Sequence, residues 1–252
     1  MDSRASCSGP DLIVADRNRL TLVIPVYNEG ENFAALWKEI SAAVHTPFEA
    51  VAIYDRDEDD TLPLITEIVS TGETRLRTLK NTFGSGVVGA LRTGFDHVLQ
   101  GAVLVVMADL SDDLTQVDKM FAFYQQGFDL VAASRYMKGG RLIGGPVFKQ
   151  GLSRASGLTL HWLRGLPLHD ATNSFRLYDS AMLRSFAIES TRGFELTLEI
   201  TVKAFLAGYR MTEVPAQWRD RTAGKSHFKL WSWLPHYLRW YVYAFQRRRT
   251  PR

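Results

Sequence analysis

Three acidic residues stand close behind apolar runs of the sequence. Asp109 follows the uncharged run at 103–108, and Glu29 and Asp55 follow two earlier runs of the same kind. Such runs predict buried strands of a parallel sheet, and in these sheets ligands bind just outside the carboxyl ends of the strands. Because Mg²⁺ and Mn²⁺ prefer carboxylate and water oxygens, the pattern indicates metal or diphosphate chemistry at Asp109.

Asp112 and Asp113 follow Asp109 almost at once and leave two interpretations open. In the first, they help to hold the cation. In the second, they are the N-cap and first-turn residues of the next helix, where carboxylates interact favourably with the helix dipole.

Basic residues concentrate at the other end of the chain. Among the 252 residues there are 30 lysines and arginines and 27 acidic residues, so the net charge of +3 is mild, yet no acidic residue follows Asp220. Acidic strand ends opposite an arginine-rich half suit a nucleoside diphosphate that is held by a cation beside a second anionic group. The single cysteine, Cys7, excludes an intramolecular disulfide and a cysteine-based metal cluster.

Strand and helix patterns alternate strictly through residue 133, which predicts an α/β fold with a parallel sheet covered by helices. The predicted strands lie at 19–26, 48–54, 76–79, 103–108 and 129–133, and helices are predicted between them. After residue 134 the pattern changes to glycine-rich and basic loops, two short strands at 175–178 and 211–214, and helices at 148–164, 194–207 and 229–249. Pro235 is expected to bend the last helix or to mark its start.

Two common nucleotide-binding signatures are absent. The first predicted strand runs into a segment with a single glycine, so the G-x-G-x-x-G fingerprint is missing, and no P-loop motif occurs. Gly84-Ser85-Gly86 does precede a predicted helix, where backbone N–H groups can approach a phosphate. A tight turn without a ligand explains the same residues, and both interpretations stay open.

The last helix is rich in aromatic and basic residues. Trp, Tyr and Phe side chains crowd positions 231–245, and Arg247, Arg248 and Arg249 follow them. Tryptophan and tyrosine favour the membrane interface and arginine clusters favour anionic lipid, which predicts contact with a membrane surface. The alternative is a helix that packs on the catalytic domain and has a solvated basic end.

The motifs, taken together and in order, resemble those of inverting nucleotide-sugar glycosyltransferases. The resemblance is to glycosyltransferase family 2 and, within it, to the dolichol-phosphate mannose synthase group. The matching segments are Ile24-Pro25-Val26-Tyr27-Asn28-Glu29, the acidic turn from Asp55, Gly84-Ser85-Gly86, Ala108-Asp109-Leu110-Ser111, Ser134-Arg135-Tyr136, Arg154, Asp170 to Arg176, Gly193-Phe194-Glu195, and Arg219 to Ser226. They extend over most of the chain.

The resemblance implies a GT-A fold, which is a Rossmann-like, mostly parallel sheet with helices on both faces, with a C-terminal amphipathic helix added. It implies a flexible leader at 1–17, a catalytic domain at 18–227 and the C-terminal helix at 228–252. The implied donor-binding residues are Pro25, Tyr27, Glu29, Asp55, Asp57, Gly84, Gly86 and Asp109. The implied acceptor-phosphate residues are Arg135, Ser153, Arg154, Arg221 and Lys225, and Asp109, Arg135, Arg154 and Arg221 are the implied catalytic residues.

One departure from the family pattern concerns the metal site. The family usually has an Asp-x-Asp motif at the end of the fourth strand, and here Met107 stands in place of the first Asp. Asp109 would therefore carry more of the coordination of Mg²⁺ or Mn²⁺, with Ser111 as the further ligand and water, Asp112 or Asp57 as helpers.

The expected function is transfer of a hexose from a nucleotide-diphosphate sugar, of the GDP-mannose or UDP-glucose type, to a polyprenyl or dolichyl phosphate. The enzyme is expected to be cytoplasmic and peripherally bound to the membrane, without a nucleic-acid partner. An acceptor phosphate is already anionic at pH 7, so no strong general base is required. The catalytic work is then placement of two anions and stabilisation of the departing diphosphate.

Two other functions remain open at this stage. A glycosyltransferase that acts on a hydroxyl would need a carboxylate base, for which Asp170, Glu195 and Asp220 are the candidates. A non-catalytic protein that binds a nucleotide sugar or a lipid would explain the loss of a carboxylate at Met107.

Several of the named residues also have purely structural interpretations. Tyr27 can be a packing residue, and Arg176 can be an ordinary surface ion-pair partner. Glu195 and Glu199 lie one turn apart and can form a solvated helix face.

Overall fold

The computed structural model describes residues 16–145, 147–219 and 230–250. Its strands are β1 Leu20–Pro25, β2 Glu49–Tyr54, β3 Leu76–Lys80, β4 Ala102–Val105, β5 Leu130–Ser134, β6 Arg141–Ile143, β7 Arg176–Asp179, β8 Met211–Pro215 and β9 Gln217–Arg219. Its helices are α1 Gly30–Ala43, α2 Thr61–Ser70, α3 Val87–His97, α4 Val117–Gln125, α5 Val147–Arg164, α6 Ser180–Arg184, α7 Glu195–Leu206 and α8 Leu230–Gln246. A single 3₁₀ turn, Leu114–Gln116, precedes α4.

Seven strands form the central sheet in the order β3-β2-β1-β4-β7-β5-β8. The predicted mostly parallel sheet is confirmed, but β7 runs antiparallel to both of its neighbours, β4 and β5. The strict alternation of strands and helices in the sequence predicted strands β1 to β5 correctly. This alternation stops after β5. The chain then leaves the sheet through β6 and α5, and it re-enters from the edge at which β4 and β5 end.

The sheet separates two hydrophobic cores, as alternating side chains on its strands require. On one face, Leu22 and Leu104 pack with residues of α1 and α4 such as Phe33. On the other face, Val23 and Val105 pack with residues of α3, α6, α7 and α8. Each fully buried side chain of this size contributes roughly 1.5–3 kcal/mol, so these layers hold the strand ends rigidly in register.

A second sheet, with two short parallel strands, lies outside the central one. Strand β6 pairs with β9 through Arg141 opposite Gln217 and Ile143 opposite Arg219. Both segments were predicted to be loops, and that prediction is wrong. Three-residue strands carry no periodic signal, and their pairing depends on contacts between distant parts of the chain.

Helix α8 packs against α7 and α5. Trp240 is buried and its indole N–H donates to the Ser190 hydroxyl at 3.1 Å. Pro235 lies inside the helix, not at its start. None of the described helices is both long enough and apolar enough to pass through a membrane.

The residues assigned to the leader lie mostly outside the described part of the chain. Arg17 is an exception, because its guanidinium donates to the carbonyls of Tyr124 and Phe128 and pairs with Asp129 at 2.9 Å. The folded domain therefore includes Arg17.

Candidate active site

The end of β4 forms a tight turn around Asp109. The Ser111 N–H donates to Oδ1 of Asp109 at 3.2 Å, and Leu110 between them has a left-handed backbone with φ of 60°. That conformation is uncommon for a residue with a large side chain and is found at functional sites. Asp109 is nearly buried, and it lines a cavity together with Ser111 and Met107.

The side chain of Asp112 also bonds to the backbone of this segment. Its Oδ2 accepts the Met107 N–H at 2.8 Å, whereas its Oδ1 is buried without a hydrogen-bond partner. Burial, together with the nearby charge of Asp109, raises the pKa of Asp112 to about 8. The helix-capping interpretation is therefore wrong for Asp112, because its carboxylate binds the strand that precedes it.

Asp113 has a different role from its neighbour. It stands at the N-cap position of the 3₁₀ turn, but its side chain makes no capping bond there. Oδ2 accepts the N–H of Gln217 at 3.0 Å, and Oδ1 accepts the hydroxyl of Thr115. Asp113 thus ties the β4 end to β9.

The residues at the β4 end fit a divalent cation whose coordination is completed by a diphosphate. Within the described residues, no group of three or more His, Cys, Asp or Glu side chains is arranged to hold a metal. Mg²⁺ in phosphoryl-substrate sites is commonly bound by one or two carboxylates, several waters and the substrate itself. Asp109 and Ser111 supply such an open set.

The predicted donor residues Pro25, Tyr27, Glu29 and Asp55 lie at the ends of the neighbouring strands β1 and β2. Pro25 is buried, whereas the Tyr27 ring is 50% exposed, so Tyr27 is not a packing residue. An exposed aromatic ring at the ligand-binding edge is suited to stacking on a base. Asp57 is exposed and pairs with Lys80 at 2.5 Å, and this hydrogen bond raises the pKa of Lys80.

Gly84 and Gly86 form a turn that Asp55 closes. Both glycines have left-handed backbones, with φ of 93° and 100°. Oδ2 of Asp55 accepts the Gly86 N–H at 2.7 Å, and Oδ1 accepts the side-chain amide of Asn81 at 2.7 Å. The Gly86 amide is thus occupied by the Asp55 carboxylate. This bond fits the second interpretation of the sequence, a tight turn without a ligand.

Arg135 and Ser153 come together in the wall of the same cavity. Arg135 makes a two-pronged ion pair with Asp170, with Nε to Oδ2 at 2.7 Å and Nη2 to Oδ1 at 3.0 Å. Its Nη2 also reaches the hydroxyls of Ser153 at 3.1 Å and Thr172 at 3.0 Å. Tyr136 donates its hydroxyl to Ser153 at 2.9 Å. One guanidinium and three hydroxyls therefore converge here.

The electrostatics of this pair keep both groups charged. Burial opposes ionisation of Asp170, but the charge and hydrogen bonds of Arg135 hold its pKa below the ordinary value. Burial likewise opposes the charge on Arg135, and Asp170 raises its pKa in spite of that. The guanidinium is fixed in orientation and remains cationic.

Of the other predicted acceptor residues, only Arg154 is among those that the structure describes. Arg154 is exposed on α5, near Tyr136, and it is not among the residues that line the cavity. Arg221 and Lys225 lie outside the described residues.

Arg176 is a residue whose environment the sequence did not reveal. It is fully buried, so the surface ion-pair interpretation is wrong. Its guanidinium donates to the carbonyls of Asn173 and Asp170 and to the hydroxyl of Thr201. Arg176 thereby supports the 170–173 loop that holds Arg135. The sequence signals were its place in the family-like segment Asp170 to Arg176 and its position near the start of the predicted strand at 175–178.

Glu195 and Glu199 are also buried, at 1% and 0% exposure, so the solvated-face interpretation is wrong for both. Glu195 accepts the Arg192 N–H, and its second oxygen has no hydrogen-bond partner. Glu199 accepts the N–H groups of Glu189 and Ser190 at 2.7 Å and pairs with Lys203. These glutamates organise the loop before α7.

One cavity of about 550 Å³ connects the two sides of the site. At one end it is lined by Asp109 and Ser111, and beside them lie Arg135 and Ser153. Beyond these polar groups the walls come from α5 and α8 and are largely apolar or aromatic. They include Leu152, Leu234, Tyr237, Leu238 and Tyr241. The cavity therefore brings a strand end that can hold a metal ion and the guanidinium of Arg135 within reach of one ligand.

Two named relatives are similar to the chain in sequence. It is 27% identical to the polyprenol monophosphomannose synthase of Mycolicibacterium smegmatis, over 84% of this chain and 82% of that protein. It is 26% identical to the dolichol-phosphate mannosyltransferase of Pyrococcus furiosus, over 88% of this chain. The alignment spans 63% of that second relative, which is less than two thirds of its length.

Solved structures with the same fold confirm the predicted GT-A architecture. The mannosyltransferase from Pyrobaculum calidifontis, in complex with GDP-Man and Mn²⁺, has a TM-score of 0.65 at 17% identity, over 96% of this chain and 69% of that chain. Glucosyl-3-phosphoglycerate synthase from Mycobacterium tuberculosis, with Mn²⁺, UDP-glucose and phosphoglyceric acid, has a TM-score of 0.65 at 14% identity, over 90% and 79%. The model of glycosyl transferase family 2 matches residues 21–186. The chain belongs to glycosyl transferase family 2.

Proposed function

We propose that this enzyme transfers a hexose from a nucleotide-diphosphate sugar to the phosphate of a polyprenyl lipid, with inversion at the anomeric carbon. The observation that carries the proposal is the single cavity that joins Asp109 and Ser111 to Arg135 and then to an apolar wall. A metal-held diphosphate, an acceptor phosphate and a lipid chain each meet a chemically matched part of it. The names of the two relatives, both mannosyl-lipid synthases, support mannose as the sugar.

The donor is held at the ends of β1, β2 and β4. Asp109 and Ser111 bind Mg²⁺ or Mn²⁺, and the cation supplies positive charge that stabilises the departing diphosphate. Tyr27 stacks on the base, and Pro25, Glu29 and Asp55 border the nucleoside, with Asp57 and the Gly84–Gly86 turn next to it. The sugar then extends from the diphosphate into the cavity.

The acceptor phosphate is held by Arg135. Asp170 locks the plane of the guanidinium through the ion pair at 2.7 and 3.0 Å, so the remaining N–H donors have a fixed direction. The hydroxyls of Ser153, Thr172 and Tyr136 form a hydrogen-bonded polar group around the same guanidinium. An oxygen of this phosphate attacks the anomeric carbon on the face opposite the diphosphate. Arg154, which is exposed near Tyr136, adds positive charge on the same side of α5.

A hydroxyl acceptor is disfavoured because a base is lacking near the acceptor among the described residues. Asp170 is 0% exposed and committed to Arg135. Glu195 is buried and does not line the cavity. The third candidate, Asp220, lies outside the described residues. An acceptor that is anionic already, as a phosphate is at pH 7, needs no base.

Attachment to the membrane surface is proposed to involve α8 together with α5. Exposed apolar side chains gather on these two helices. They are Val147, Phe148, Leu152, Trp162, Leu163, Leu238, Val242 and Phe245. Arg164 lies over the Phe245 ring and donates to the Arg247 carbonyl, so the C-terminal ends of both helices form one apolar and basic surface. Such a surface suits the headgroup region of a bilayer.

The decisive test is an acceptor comparison. Purified protein with Mn²⁺ is given radiolabelled GDP-mannose or UDP-glucose and either a polyprenyl phosphate or the matching polyprenol. We expect a labelled, lipid-extractable product from the phosphate and none from the alcohol. A product from the polyprenol, or no transfer from either donor to the phosphate, would overturn the proposal.

A further inference from the structure

The acidic turn, which we define as residues 55–61 from the end of β2 to the first residue of α2, binds the start of α1 through three consecutive backbone amides. The Asn28 N–H donates to both carboxylate oxygens of Asp59, at 3.1 and 3.2 Å. The Glu29 N–H donates to the Thr61 hydroxyl at 3.0 Å, and the Gly30 N–H donates to Asp60 at 2.9 Å. The amides of Glu29 and Gly30, at the N-cap and first position of α1, would otherwise be unpaired helix-start donors.

The same turn also occupies the start of α3, since Asp55 accepts the Gly86 N–H at 2.7 Å. Free N–H groups at a helix start are a ready site for phosphate. Here α1 and α3 both begin near the strand ends that carry the predicted donor residues, and the amides of Glu29, Gly30 and Gly86 are already held by a hydroxyl or a carboxylate. These three amides are therefore not available to a diphosphate.

Asp59 has the central place in this arrangement. It is 4% exposed and also accepts the Thr61 N–H at 2.9 Å, so its carboxylate is fixed from both sides. Asn28, which it holds, has a left-handed backbone with φ of 53°. Asparagine tolerates this conformation, and the Asp59 carboxylate holds the backbone in it through the Asn28 N–H. Tyr27 and Glu29 flank Asn28, so their direction at the donor edge depends on Asp59.

We propose that Asp59 is a positioning residue for the nucleoside half of the donor, acting through the Tyr27–Glu29 backbone. The acidic turn thereby has two tasks: it shapes the nucleoside site, and it withholds the helix-start amides of α1 and α3 from a diphosphate. This inference rests on the proposed function, because it assigns the base and ribose to Tyr27 and Glu29.

The test compares Asp59→Asn with Glu58→Gln, an exposed residue of the same turn that loses the same charge. Dissociation constants are measured calorimetrically for GDP and for UDP, each with Mn²⁺, and for inorganic pyrophosphate with Mn²⁺. We expect Asp59→Asn to raise the dissociation constant of the nucleotide that the wild type prefers by roughly tenfold or more, because hydrogen bonds to a charged group are lost. Pyrophosphate binding stays unchanged, and Glu58→Gln binds both ligands normally.

The outcomes separate this inference from the proposed function. Equal weakening of nucleotide and pyrophosphate, or normal nucleotide binding by Asp59→Asn, overturns the positioning role of Asp59 and leaves the proposed function intact. A wild type that binds neither GDP nor UDP overturns the proposed function, and this inference with it. Thr61→Val removes one neutral acceptor at nearly constant volume and provides a milder variant. This variant is expected to lower nucleotide affinity about fivefold. An unchanged nucleotide affinity in a folded Thr61→Val variant counts against the inference.

Discussion

Replacing Asp109 by alanine is expected to abolish transfer while the fold persists. The carboxylate accepts the Ser111 N–H at 3.2 Å, so its loss removes about 1 kcal/mol of unfolding free energy. For a protein of this size that corresponds to roughly 2–4 °C in Tm. Removing one charge contact to the departing group costs on the order of 10²–10³ in rate, which far exceeds the effect on stability.

Three measurements on Asp109→Ala check the reasoning. Initial rates are recorded with saturating polyprenyl phosphate, Mn²⁺ affinity is measured by calorimetry in the presence of GDP, and Tm is measured by differential scanning calorimetry. We expect transfer near background, a large loss of Mn²⁺ affinity and a Tm within a few degrees of wild type.

Asp113→Ala is the matched control, because it removes a carboxylate four residues away that bonds to Gln217 and Thr115. Mn²⁺ affinity in this variant stays normal, and the attachment of β9 to the β4 end weakens. Transfer by Asp109→Ala at more than a tenth of the wild-type rate, or equal loss of Mn²⁺ affinity in both variants, would refute the assignment of the cation to Asp109.

Three further predictions follow from other parts of the structure. Arg135→Lys keeps the charge but loses the fork-shaped pairing, so steady-state kinetics are expected to show a KM for polyprenyl phosphate about tenfold higher, with GDP affinity unchanged; an unchanged KM would argue against Arg135 as the phosphate ligand. The double substitution of Trp162 and Leu163 by alanine is expected to reduce cosedimentation with vesicles of phosphatidylcholine and phosphatidylserine, whereas Leu99→Ala, equally exposed on another surface at 68%, is not; equal binding by all variants would remove α5 from the membrane surface. The pKa of Asp170 is lowered from 3.8 in the folded protein, so its stabilising contribution is present above pH 3.8 and is lost as the pH falls through the folded pKa; urea unfolding at pH 7, 5 and 3 is expected to show a drop in unfolding free energy below pH 4 that is smaller in Asp170→Asn.

The sequence was sufficient for the parts of the fold that depend on local pattern. Strands β1, β2, β4 and β5 are largely apolar runs, and the helices between the strands have an apolar stripe, so both are recognisable without any knowledge of their partners. The positions of Asp109, Glu29 and Asp55 at the ends of these strands follow from the same reasoning, since parallel strands end at one edge. The ordered motifs extended this to the family and the fold.

Tertiary contacts decided the roles of residues whose types are ambiguous. Arg176, Glu195 and Glu199 look like surface residues in a linear sequence, and only packing around α7 reveals that all three are buried. A buried charge needs partners, and here those partners come from loops that are distant in the chain. Likewise, β7 is a recognisable strand, but its antiparallel direction depends on the edge from which the chain re-enters the sheet.

The acidic turn shows most clearly what the sequence determines and what only the tertiary structure decides. From the sequence, residues 55–60 are a cluster of carboxylates whose targets are unspecified. In the folded chain, Asp55 binds the start of α3, Asp59 and Asp60 bind the start of α1, and Asp57 pairs with Lys80. Residue type and strand order determined that acids would gather at this edge. Which amide or cation each acid meets was decided by the packing of helices onto the sheet, because hydrogen bonds act over about 3 Å and depend on that geometry.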